Sequence, residues 1–155
     1  MTLTRLNPGP RMSEAVTVGD IVFLAGQVPD DLTADITTQT RQVLANVDAV
    51  MAELGGSKAD IASVQVWLAD MADFAGMNAV WDAWVDLGNP PARATGGVAL
   101  ARAGMRVEMI VVARNPRVQT SVTGPLQSSG FGHARMAAGV RFGRLHRPAF
   151  AAVFF

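Results

Sequence analysis

The chain has 155 residues, half of them hydrophobic, enough for one domain with a packed core. Thirteen acidic residues balance thirteen Lys and Arg, and Cys and Tyr are absent, which excludes disulfides, thiol nucleophiles and thiolate metal sites. No stretch reaches the roughly 18 apolar residues of a membrane span, and the first ten residues lack a signal-peptide core, so a cytoplasmic address without a membrane partner is expected.

In chain order, Ser13 to Val18 and Ile21 to Leu24 are strand-like runs around Gly19-Asp20, which predicts a hairpin. Residues 26–31 break the pattern as a loop. From Asp35 to Leu54 the apolar residues Ile36, Val43, Leu44, Val47, Val50, Met51 and Leu54 recur at helical spacing, and Gly55-Gly56 supplies the stop. Ile61 to Leu68 alternates Val64, Val66 and Leu68 against Ser63, Gln65 and Trp67, the pattern of a half-buried strand. Phe74, Met77, Trp81 and Trp84 mark the core face of a second helix, expected to end near Leu87-Gly88. Ala92 to Leu100 and Val107 to Ala113 read as two further strands. Two helices cover only one face of such a sheet, and its other face is also apolar, which calls for oligomerisation.

Composition changes near Asn115-Pro116. Residues 1–113 hold all thirteen acids and seven basic residues, a net of −6, whereas residues 114–155 hold six arginines and no acid, a net of +6. Two parts follow: a domain over 1–114 and a basic C-terminal extension over 115–155. The only histidines, His133 and His146, lie thirteen apart in that extension, so no metal site is expected. The extension lacks aromatic interleaving, so nucleic acid is not expected as a partner, although an RNA-directed role remains an alternative.

The body must therefore use carboxylates, arginines, amides, hydroxyls or the backbone. Arg93, in Pro91-Ala92-Arg93-Ala94, and Glu108, in Val107-Glu108-Met109, fall on what read as neighbouring strands. Alone, Glu108 could equally pair with Arg102 or Arg106, and Gly96-Gly97 could mark a sheet bulge.

Residues 10–114 resemble the RidA family, also called YjgF or UK114, small homotrimeric hydrolases of reactive enamines and imines. The resemblance rests on Gly19-Asp20-Ile21-Val22-Phe23-Leu24-Ala25-Gly26-Gln27-Val28-Pro29, residues 39–47, Asp73-Phe74-Ala75-Gly76-Met77-Asn78, Pro91-Ala92-Arg93 and Val107-Glu108-Met109, in order. It implies a chorismate-mutase-like α+β fold, a mixed sheet covered on one face by two helices, and a barrel-like trimer with clefts between subunits. It also implies a carboxylate-bearing imine or enamine as ligand and no cofactor. The arginine matching Arg93 would bind the substrate carboxylate, and the acid matching Glu108 would handle the attacking water. Asn78 and Gly26 match positions near the site. Three positions depart from the best-studied deaminases: Met12 stands for a tyrosine, Ala25 for a serine and Thr95 for a cysteine.

The chemistry suits those residues. A planar guanidinium engages a carboxylate through two donors, and a half-buried carboxylate can orient water and move protons. A ligand-binding or chaperone-like member without catalysis is the other alternative.

Overall fold

The computed structural model describes residues 2–118; the remainder of the basic extension, with His133 and His146, lies outside the described residues. Six strands form one sheet in the order β1-β2-β3-β6-β4-β5, where β1 is Leu3–Pro8, β2 Ser13–Val18, β3 Ile21–Leu24, β4 Ile61–Leu68, β5 Ala92–Gly97 and β6 Val107–Arg114. Helices α1 (Ile36–Glu53) and α2 (Phe74–Trp84) occupy one face. This is the expected α+β arrangement of a mixed sheet with two helices.

Local chemistry sets the boundaries. The hairpin turns at Gly19, whose φ of 55° lies in the left-handed region. Asp35 caps α1 by accepting the Thr38 N–H at 2.8 Å. At the other end Gly55 adopts φ 88°, its N–H reaches Ala52 O at 2.9 Å, and Gly56 N–H reaches Met51 O at 2.8 Å, a Schellman stop.

The topology follows from two crossovers. β4 and β5 are parallel and joined through α2, while β3 and β4 run the same way, each antiparallel to β6, and are joined through α1. The last strand, β6, is inserted between β3 and β4. Its inward residues Val107, Met109, Val111 and Ala113 are at most 1% exposed and pack with Val64, Val66 and Leu68 of β4 under the helices. Each fully buried side chain of this kind stabilises the fold by about 1.5–3 kcal/mol.

The structure departs from the sequence reading in four places. β1 was not anticipated, because it is an exposed edge strand with only Leu6 half-buried, so it carries no alternating pattern. α2 ends at Trp84 rather than near Leu87-Gly88, since Val85 turns to extended backbone and donates to Trp81 O. β5 stops at Gly97 rather than Leu100. Gly96-Gly97 is regular strand paired with Trp67 and Leu68, and the sheet irregularity lies between Ile61 and Ser63 instead.

Gln39, fully buried, ties α1 to the loop before β6. Its Nε2 donates to Ala34 O and Gly104 O, and its Oε1 accepts the Arg106 N–H at 2.8 Å. Gln39→Leu orphans these backbone groups and is expected to destabilise the protein by about 2–4 kcal/mol, read as a lower urea midpoint at unchanged m-value.

Asp60 belongs to a short capping box with Ser57 and pairs with Arg114. Partial burial pushes its pKa up, but the Arg114 hydrogen bond, the Ser57 N–H and the Arg114 charge together bring it below the usual 3.8. A carboxylate depressed in the native state stabilises fully above its unfolded pKa and ceases to do so as pH falls through the native value. The urea midpoint should therefore drop on acidification below about pH 4, and less steeply in Asp60→Asn.

Candidate functional site

The structure sorts the candidate residues into two groups. Glu108 is half-buried on the sheet face away from the helices, opposite Trp67 of β4. Its neighbour Met109 exchanges two backbone hydrogen bonds with Gln27, at 2.8 and 3.0 Å, which straps the Ala25-Gly26-Gln27 segment alongside β6. Gly26 leaves room there: a Cβ would meet Glu108 Oε1, so a side chain at this position would push the carboxylate aside. Ala25, Gly26 and Met12 also line a cavity of about 460 Å³ together with Gly9, Pro10 and Arg11. Polar groups around this cavity are partly engaged already, Asn7 donating to Glu14 at 2.7 Å and the Gln27 side chain to Ala25 O at 2.9 Å.

Arg93 and Thr95 form the second group. Arg93 aligns with buried Val64, so both project to the helix-covered face of edge strand β5. The Arg93 guanidinium carbon lies 4.9 Å from the centre of the Trp81 ring on α2. Burial lowers the Arg93 pKa and the charge of Asp82 opposes that, but a group titrating so far above neutrality keeps its charge. Asn78 Oδ1 and Thr95 Oγ1 are both buried without a hydrogen-bond partner among the described residues.

Arg93 and Glu108 are therefore not on neighbouring strands. β4 stands between β5 and β6, and the two side chains project from opposite faces. Adjacency in sequence misled because β6 enters the sheet on the far side of β4. Nor does Glu108 pair with Arg102 or Arg106: the Arg106 guanidinium grips buried Asp73 through two bonds of 2.9 and 2.8 Å.

Two tryptophans escaped the sequence reading as site components. Trp81 looked like core alone, and at 6% exposure it is core, but its ring also seats Arg93. Trp67 stood on the polar side of the β4 alternation, a visible signal that an aromatic ring faces outward.

Among the described residues no His, Asp or Glu cluster could hold a metal ion, and no helix is long and apolar enough to cross a membrane.

Residues 2–115 match the family profile described as Endoribonuclease L-PSP. The chain is 39% identical over 114 residues to a RutC family protein of Haemophilus influenzae, spanning 73% of this chain and 98% of that one. It is likewise 39% identical over 113 residues to RutC family protein YoaB of Escherichia coli, with the same coverage of 73% and 98%. A crystal structure of a YjgF-family protein from Neisseria meningitidis superimposes with a TM-score of 0.72 at 41% identity, covering 76% of this chain and 98% of the other.

The orphaned hydroxyl of Thr95 generates a stability test. Thr95→Val removes a buried unpaired oxygen at nearly constant shape, so the variant should be as stable as the parent or about 1 kcal/mol more stable in urea unfolding. A loss of stability would reveal a partner for that hydroxyl.

Proposed function

The chain belongs to the YjgF/RutC family, and on that footing we propose that it hydrolyses 2-imino acids to 2-keto acids and ammonia in clefts between the subunits of a homotrimer. The observation that carries this reading is the separation of Arg93 and Glu108 to opposite faces of one sheet, each in a half-site lacking what the other offers. Support for assembly comes from the uncovered face. Ile21 and Phe23 there are 45% and 46% exposed, beside half-buried Val16, Trp67, Ile110 and Val112. Stacking such faces around a threefold axis brings the β5 edge of one copy toward Glu108 of the next.

In the cleft, Arg93 takes the substrate carboxylate through paired N–H donors and orients the carbon–nitrogen double bond. Glu108 of the adjoining copy aligns water against the imine carbon and accepts a proton as the carbon–oxygen bond forms. It returns that proton to nitrogen, giving a carbinolamine. Transfer of the hydroxyl proton to nitrogen then breaks the carbon–nitrogen bond, leaving the keto acid and ammonia. Asn78 and Thr95, whose Oδ1 and Oγ1 are buried and unpaired among the described residues, complete the substrate-binding set of this reading. The cavity beside Gly26, with Met12 and Ala25 in place of hydroxyl-bearing residues, receives the substrate side chain and favours apolar ones. Hydrolysis of this kind requires no metal or organic cofactor.

An RNA-directed role, which the family profile's description suggests, fits the body less well. Residues 1–113 carry a net of −6, whereas polyphosphate binding draws its affinity from basic groups.

Imines generated in situ from 2-aminobutanoate or alanine should yield keto acid faster with the protein than without it. Arg93→Ala and Glu108→Gln should each lower kcat/KM by about 10²-fold or more. Co-assembled from equal amounts of the two variants, the protein should regain about a quarter of the parental activity, because mixed trimers pair an intact Arg93 with an intact Glu108 at one interface. No acceleration by the unsubstituted protein would leave a ligand-binding role, and no recovery on mixing would refute the shared cleft.

A further inference from the structure

Two arginines of this domain are held in opposite ways. The Arg106 fork is consumed by Asp73, whereas no carboxylate among the described residues pairs with Arg93. Its guanidinium instead lies over Trp81 at 4.9 Å. The ring is itself fixed. Trp81 is buried and packs at a 53° tilt on Trp84, 5.3 Å between centroids. Trp84 donates from Nε1 to Asp48 at 2.9 Å, and its carbonyl accepts from Lys58 Nζ at 2.6 Å.

An ion pair and an aromatic seat leave an arginine differently equipped. A carboxylate partner occupies the in-plane N–H donors and competes with any anionic ligand. A ring attracts the cation through the guanidinium face and leaves those donors open.

We propose that Trp81 is a positioning residue for substrate recognition: its ring holds the Arg93 cation without using its donors, so that the N–H edge is presented ready-made to a substrate carboxylate. The proposal rests on the deaminase reading for the identity of the ligand. Trp81 acts through Arg93 and touches no reacting atom. Its contribution belongs in carboxylate affinity, hence in KM more than kcat.

Binding of 2-oxobutanoate, the keto acid product, measures this without turnover. Trp81→Leu is expected to weaken 2-oxobutanoate binding about tenfold, while Trp81→Phe, which keeps a ring, stays within about threefold of the parent. In an Arg93→Ala background, Trp81→Leu should cause no further loss, because the seat has nothing left to hold. Equal affinity of Trp81→Leu and the parent overturns the proposal, as does an undiminished loss in the Arg93→Ala background, which marks a purely structural effect. A measurement on the unsubstituted protein covers the case in which Trp81→Leu does not fold. The Arg93 δ-methylene protons should resonate upfield of those of the other arginines under the indole ring current, and an unshifted resonance overturns the seat. Failure of imine hydrolysis with 2-oxobutanoate binding intact would count against the deaminase reading alone.

Discussion

The insertion of β6 between β3 and β4 is the constraint on which the rest depends. Two helical crossovers carry the chain from β3 to β4 and from β4 to β5 on one face, and the only antiparallel slot between β3 and β4 is filled by the last strand. β6 thereby supplies the most buried row of the core, receives the Gln27 strap, and turns Glu108 to the uncovered face. β4 separates β5 from β6, and because Arg93 aligns with Val64 while Glu108 aligns with Trp67, which face opposite ways on β4, an arginine and a glutamate fifteen residues apart end on opposite sides of the sheet. In the proposed mechanism each location then holds half of a site, which makes association part of the chemistry.

Within each half, small residues and apolar surfaces do much of the positioning. Gly26 leaves space for the Glu108 carboxylate where any side chain would displace it, and Trp81 holds the Arg93 cation without neutralising it. Arg106 shows the alternative in the same domain: gripped by Asp73 and with its N–H bound by Gln39, it fastens the loop before β6 to α1 and to the start of α2. The pairing of an arginine with an acid or with a ring separates a structural cation from one able to receive a ligand.

The uncovered face joins these features. It carries Phe23, Ile21, Trp67, Ile110 and Val112 beside Glu108, so the surface suited to association also bears the water-handling acid of the proposed mechanism. Binding energy and catalytic geometry would then share one interface, which explains how a domain without Cys or Tyr, and without a histidine in its body, could still perform hydrolysis.

Much was legible in the residues alone. The hairpin about Gly19-Asp20, the α1 stripe from Val43 to Leu54 with its glycine stop, and the alternating β4 could be read because periodicity and turn chemistry are local and act within a few residues. The ordered matches likewise pointed to the family. β1 could not be read, since an exposed edge strand buries too little to impose a pattern. Nor could the relation of Arg93 to Glu108, or the seat that Trp81 provides. Strand order and the choice of partner for each arginine depend on contacts between residues far apart in the chain, which only the tertiary structure decides.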